Sequence, residues 1–403
     1  MYDFDTVIPR TGTQSLKYAP VETAGEDSPI LAFGMADMDF KVAPAITKTL
    51  EKRIEHGIFG YTGCDRTYFE AVHNWYKTHF NWETEEEWLI KTPGVVPAIN
   101  IAIRALTKPD DAILIQPPVY HPFSEAILQN GRRLINCPLM RRNSKYAMND
   151  FDDIERLLAE QNVKLAILCS PHNPVGRVWS ETELREFSRV CRIHGVHIIV
   201  DEIHSDFTYP GITFTPFGNL GEEAANNAII CTSPSKTFNI AGLQISNIWI
   251  PNPAIREAFR RELCGIGLEE PNLMGILAAE AAYKEGNDWL REAKAYIKGN
   301  LDYVREYLKA NIPRMKLVEP EGTYLLWLDC RGYSISDEEL EHVVTKDARL
   351  ALNMGTLFGA EGSGFLRMNI ACPRQTLEKG MARLAMAFAK VEAALQERRA
   401  RRL

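Results

Sequence analysis

Ala228-Ile229-Ile230-Cys231-Thr232-Ser233-Pro234-Ser235-Lys236-Thr237-Phe238-Asn239 carries an apolar run of strand length straight into a lysine flanked by small hydroxyl residues. Lysine resists burial unless it is paired or covalently used. A lysine held at the end of a buried strand can stay neutral enough to form a Schiff base with an aldehyde cofactor. The hydroxyls of Ser233 and Ser235, with nearby backbone N–H groups, suit a phosphate. Taken alone, S-x-S-K is also an ordinary solvated loop, so the rest of the chain has to decide.

Working outward, the same texture repeats. Ile90 to Val96 precedes a helical pattern at 97–107. Ala112-Ile113-Leu114-Ile115 leads to Pro117-Pro118-Val119-Tyr120. Leu134 to Cys137 is a further short run. Lys164 to Cys169 ends at Ser170-Pro171-His172-Asn173-Pro174. A helix is expected at 180–194, opened by Ser180 with Glu183 in capping-box spacing. Val196 to Val200 ends at Asp201, and Ile245 to Ile250 closes the series. Strands alternating with helices predict an α/β fold, a mostly parallel sheet with helices on both faces. Ligands of such sheets lie beyond the carboxyl ends of the strands. Tyr120, Asn173, Asp201 and Lys236 each follow a predicted strand, which places four polar or reactive groups at one sheet edge.

The flanks differ from this middle. Residues 1–40 are irregular, with turn signals at Pro9, Gly12, Pro20, Gly25 and Pro29. Helices are expected at 43–56, with Ile46, Leu50 and Ile54 on one face, and at 65–80. Between them lies the glycine-spaced loop Gly57-Ile58-Phe59-Gly60-Tyr61-Thr62-Gly63. Residues 253–310 read as helical, with a long helix near 287–310. Strands at 315–318, 324–328 and 365–370 and helices near 336–347 and 374–396 make a smaller α+β domain. The expected division is an N-terminal arm, 1–42, that joins the small domain, a large domain, 43–288, and the small domain, 289–403.

Composition narrows the classes. The 403 residues include 46 Lys and Arg against 53 Asp and Glu, a net charge of −7. That balance argues against nucleic acid or an acidic membrane surface as main partner. The basic cluster Arg398-Arg399-Ala400-Arg401-Arg402 reads as a solvated helix end. No apolar run reaches membrane-spanning length. The acidic start lacks a signal-peptide pattern, so a cytoplasmic protein is expected. The eight cysteines are scattered without a C-x-x-C pair. No metal-ligand spacing is present, and a reducing compartment fits.

In combination these motifs resemble the fold-type I pyridoxal phosphate enzymes, within the aminotransferase class I/II superfamily. The resemblance is to the MalY/PatB-type cystathionine β-lyases, or β C–S lyases. It rests on Phe4-Asp5 to Arg10-x-Gly12-Thr13, Ala36-Asp37-Met38-Asp39-Phe40, Gly60-Tyr61 and His172-Asn173-Pro174-x-Gly176. It rests further on Asp201-Glu202-Ile203-His204, Ser233-x-Ser235-Lys236-Thr237-Phe238-Asn239-Ile240, Thr323-Tyr324-Leu325-x-Trp327-Leu328-Asp329 and Arg367-x-Asn369-x-Ala371-Cys372-Pro373-Arg374. It spans essentially the whole chain.

The resemblance implies roles. Lys236 would carry pyridoxal 5'-phosphate (PLP) and act as the base at Cα. Asp201 would pair with the pyridine nitrogen and keep the ring protonated. Asn173 would bond the phenolic oxygen and border the substrate. Tyr120 would stack on the ring, with His204 beside it. Gly94, Val95 and Val96, at a helix start, would bind the phosphate with Ser233 and Ser235. Tyr61 would reach the phosphate of a neighbouring subunit's cofactor, giving a homodimer with shared, catalytically complete sites. Arg367 would take the substrate carboxylate in a bidentate pair. Two positions depart from relatives. Gln244 stands where aminotransferase-like members carry arginine, as dedicated lyases also lack it. Gly34 stands where close relatives carry a bulkier residue, next to the substrate.

The implied activity is PLP-dependent α,β-elimination of L-cystathionine or L-cysteine-type S-substituted amino acids. The products are a thiol (homocysteine or hydrogen sulfide), pyruvate and ammonia, in cysteine and methionine metabolism. The alternatives are an aminotransferase on the same scaffold, or a lyase with an additional regulatory binding role.

Overall fold

The computed structural model describes residues 2–19, 30–142 and 145–400. Pro20, Gly25 and Pro29 of the expected turns and Arg401 and Arg402 of the basic cluster lie outside these residues, as do the side chains of Arg398 and Arg399.

Seven strands form the central sheet: β1 (Leu89–Thr92), β2 (Ala112–Ile115), β3 (Arg133–Asn136), β4 (Val163–Cys169), β5 (His197–Asp201), β6 (Ala228–Thr232) and β7 (Ser246–Trp249). Their order is β1-β7-β6-β5-β4-β2-β3. Every pairing is parallel except those of β7, which runs antiparallel to both β1 and β6. The apolar runs are continuous because both faces are covered. Alternation sorts them. Leu114, Ala166, Leu168, Val200 and Ile230 enter one core, while Ile113, Ile115, Ile167, Ile199 and Ile229 enter the other. The second core is roofed by helices Val95–Leu106 and Pro253–Gly265 through Ala98, Ile99, Ala102 and Phe259.

The expected elements around the sheet are present, with end residues that differ slightly. Pro44–His56 begins at its proline, and Arg66–Phe80 is capped by Asp65. Ile46 of the first helix is buried, but Ile54 is exposed. Glu181–Ile193 has the complete Ser180/Glu183 capping box. The expected helical stretch 253–310 is three helices, Pro253–Gly265, Leu273–Glu285 and Asn287–Asn311.

A second, antiparallel sheet follows: β8 (Lys316–Val318), β9 (Leu325–Asp329), β10 (Asn353–Met354) and β11 (Phe365–Asn369), in the order β8-β9-β11-β10. The two-residue β10 carries too little pattern to be read from sequence. Leu31–Ala32 of the arm pairs in parallel with Leu350–Ala351. Helix Arg374–Ala400 packs against Asn287–Asn311 and buries Leu377, Met381, Leu384 and Phe388 in the first core. No helix among the described residues is long and apolar enough to cross a membrane.

Candidate active site

The parallel strands bring their carboxyl ends to one edge, and a cavity of about 190 Å³ opens there. Its walls include Gly94, Val95 and Val96 after β1, Tyr120 after β2, Asn173 after β4, Asp201 at the end of β5, and Ser235 and Lys236 after β6. His204 also lines it. Five stretches far apart in sequence thus meet at one hole.

Asp201 is the buried anion of the site. Its register partners are Cys169 on one side and Cys231 on the other, both buried. Two thiol neighbours offer little solvation. Burial pushes the Asp201 carboxyl up to about 7, against the opposing pull of the Ile203 N–H bond (3.1 Å) and of Lys236. Among the described residues no cation lies within ion-pair distance of it. A buried carboxylate without a cation asks for one from a ligand.

Lys236 sits in the four-residue helix Pro234–Thr237. Burial pushes its ammonium down to about 8, with Arg367 and Lys17 acting in the same sense and Asp37 and Asp201 opposing. Its Nζ donates to Ala36 O at 3.1 Å. His204 is pushed down to about 3 by burial, so its ring is neutral.

Helix Val95–Leu106 opens on Gly94 with no side-chain cap. Its first N–H groups are therefore unpaired by the helix and face the cavity wall, an anion site by geometry. Ser235 faces the same space. Ser233 does not line the cavity. Its hydroxyl caps the short helix by accepting from Ser235 N (3.1 Å) and donates to Ile245 O (2.9 Å). Its Oγ also lies 2.8 Å from that of Ser235, so the two hydroxyls of the pair are linked, with Ser235 on the cavity side.

Ser246 is a cavity residue that sequence reasoning missed. It is fully buried and its Oγ has no partner. The reversed β7 presents its first residue, not its last, at the carboxyl edge. The antiparallel direction is not written in the apolar run, so no sequence signal marked Ser246.

Arg367 lies on β11, 5% exposed. Nη1 donates to Asn173 Oδ1 (3.0 Å); Nη2 donates to Gly34 O and Asn353 Oδ1 (both 2.7 Å). Phe358 lies under the guanidinium, 4.8 Å away. Burial pushes the group down to about 10, still a cation at neutral pH. Its Nε is buried without a partner. Gly34 abuts Asn353: a Cβ there would sit 3.4 Å from Asn353 Oδ1. Gln244 is exposed and outside the cavity lining.

Tyr61 is 99% exposed and does not line the cavity of its own chain.

A lysine and a buried carboxylate at the carboxyl ends of one sheet, with a buried arginine of a smaller sheet bonded to Asn173 of the cavity wall, define a class of cofactor-holding α/β proteins. A family model for aminotransferase class I and II matches residues 28–384, and the chain belongs to that family. It is 40% identical to the cystathionine beta-lyase PatB of Bacillus subtilis over 386 residues, 96% of this chain and 100% of the relative. It is 34% identical to the protein MalY of Escherichia coli over 393 residues, 97% and 100% of the two chains. The crystal structure of cystalysin from Treponema denticola, which contains a pyridoxal 5'-phosphate cofactor, superposes with a TM-score of 0.94 at 36% identity, covering 97% of this chain and 100% of that one.

Proposed function

We propose that the protein is a PLP-dependent carbon–sulfur lyase acting by α,β-elimination on L-cystathionine or L-cysteine-type amino acids. The observation that carries this reading is the isolated Asp201 carboxylate facing Lys236 across one cavity. The cavity fits the cofactor on its own chemistry. Asp201 lacks a cation that a protonated ring nitrogen would supply. The uncapped helix end at Gly94, Val95 and Val96, with Ser235, suits a phosphate. The orphaned Ser246 hydroxyl adds a further polar group. When bound, PLP supplies an aldehyde for the amine and an electron sink for charge at Cα.

The residues divide the remaining work. Arg367 binds the substrate carboxylate, and Asn173 and Asn353 hold the guanidinium in place. Asn173 and Tyr120, both on the cavity wall, would hold the cofactor at its phenolic oxygen and ring face. His204, neutral and buried, fills the wall beside the ring without adding charge. Lys236 takes the proton from Cα once its amine is free. The depressed basicity of Lys236 suits that task near neutral pH. The names of the relatives PatB and cystalysin's cofactor support the reading.

The site is completed by a second copy of the chain in a homodimer. Tyr61 ends an exposed apolar stretch that includes Ile54, Ile58 and Phe59. Such a patch favours burial against a partner. Tyr61 there would serve the partner's phosphate. The Leu31–Leu350 pairing supports counting residues 1–42 with the small domain, 289–403, and 43–288 as the large one. A cytoplasmic setting suits the eight unpaired cysteines.

Product analysis tests the function. Cystathionine or cysteine alone should yield pyruvate, ammonia and thiol in equal amounts. Turnover that requires a keto acid would instead identify an aminotransferase.

A further inference from the structure

Two side chains donate to one carbonyl in this site. Lys236 Nζ lies 3.1 Å from Ala36 O, and Tyr324 OH donates to the same oxygen over 2.8 Å. A carbonyl oxygen has two lone pairs, so both bonds form. The two donors nevertheless weaken one another, since each brings positive charge to the same atom.

The carbonyl is held in place. Asn369 Nδ2 donates to Met35 O (2.6 Å) and Asp37 O (2.8 Å), on either side of Ala36. Asn239 accepts from Met38 N (2.8 Å) and donates to Met38 O (3.0 Å) and Phe40 O (3.1 Å). These two asparagines stand just after Lys236 and Arg367 in sequence. Segment 35–40 is thereby fixed to the elements that carry the lysine and the arginine. Tyr324 is fully buried, with its ring edge-on to Phe207 (4.8 Å) and His204 (6.0 Å). Its hydroxyl cannot turn to solvent.

We propose that Tyr324 is a positioning residue: through the Ala36 carbonyl that it shares with Lys236, its hydroxyl sets where the free amine rests and how readily that amine holds a proton. This rests on the reading of Lys236 as the base at Cα. The other charged and titratable groups facing Lys236 are Asp37, Asp201, Arg367 and Lys17, with neutral His204 on the same wall. Asp37 is itself tied to Arg10 at 2.6 Å. Against this fixed background the Tyr324 hydroxyl takes one lone pair and sets a partial positive charge beside the ammonium. It disfavours the protonated amine. Without it, Ala36 O belongs to Lys236 alone and the ammonium gains.

Tyr324→Phe removes only the hydroxyl. Trace acetic anhydride labelling of the cofactor-free protein across pH, read on the Lys236 peptide by mass spectrometry, follows the uncharged amine. Tyr324→Phe should move the midpoint up by at least about half a pH unit, which means about threefold less uncharged amine below it. In the cofactor-loaded enzyme the acid limb of kcat should move the same way, with KM changed by less than about twofold. Site-specific 3-fluorotyrosine at 324, a stronger donor, should move the labelling midpoint down, and it keeps the test alive should the phenylalanine variant not fold. Tyr68→Phe, which loses a buried hydroxyl bonded to Asn247 (2.6 Å), should move neither curve. Superimposable Lys236 curves for the wild type and the position-324 variants overturn the proposal, as does an equal displacement by Tyr68→Phe. Borohydride mapping that places the cofactor on another lysine overturns the reading of Lys236 itself, independently of the labelling curves.

Discussion

Arg367 Nη1 donates to Asn173 Oδ1 across 3.0 Å, joining a residue of the small antiparallel sheet to one at the carboxyl edge of the large sheet. The bond ties the expected substrate cation to the expected cofactor wall. Positions 194 residues apart share one side-chain bond there.

This placement makes the guanidinium shape essential. Lysine at 367 would keep a charge but lose the fork that spans Asn173, Gly34 and Asn353. Arg367→Lys should raise KM for the amino acid at least about tenfold, roughly 1.4 kcal/mol, with a smaller effect on kcat. Steady-state kinetics with cystathionine read both. An unchanged KM would show that the substrate carboxylate binds elsewhere.

The cofactor link should map to one residue. Borohydride reduction of the native protein should leave the cofactor on the peptide containing Lys236. Lys236→Ala should lose both the covalent label and turnover, with PLP still retained by the surrounding groups. Label on any other lysine removes Lys236 from the chemistry.

Asp201 should govern both turnover and the stability of the cofactor-free chain. Asp201→Ala should still bind PLP but cost at least about a hundredfold in kcat, because the ring nitrogen loses its anion. Near-native turnover would make Asp201 structural. In the cofactor-free chain, burial holds the carboxyl at about 7, above the 3.8 of a free side chain. The folded chain therefore keeps a proton that the unfolded chain has released. Stability from this group is fully present below about pH 4 and is lost as pH rises through about 7. Asp201→Asn should leave the melting temperature alone at low pH and raise it by about 2 °C or more at pH 8. Calorimetry of cofactor-free protein at both pH values reads the difference, and a rise confined to acid pH would contradict the burial argument.

Tyr61 should act across subunits. Tyr61→Ala and Lys236→Ala should each be inactive, and mixing them with subunit exchange should restore activity. Each heterodimer would hold one site with native Lys236 from one chain and native Tyr61 from the other. If native mass spectrometry finds heterodimers without regained activity, Tyr61 does not serve the partner's site.

Much of the site was legible because burial on both faces writes strands as apolar runs, and such strands end at the ligand edge. Asn173, Asp201 and Lys236 could be placed that way, and Gly94 to Val96 by the helix that follows them. Ser246 could not, since an apolar run does not state its direction in the sheet. That Ser233 caps the lysine's short helix was not legible either, because hydroxyl spacing alone does not tell which lone pairs the backbone uses.

The alternating pattern, the strand-end residues and the lysine between Ser235 and Thr237 were written in the chain, because local periodicity reports local burial. The folded arrangement alone revealed that β7 turns back, that Asn173 holds Arg367, that Lys236 and Tyr324 share the Ala36 carbonyl, and that Tyr61 lies away from the cavity of its own chain. Those facts depend on how distant segments dock, and the free energy that selects the docking is spread over two whole cores rather than over any one stretch.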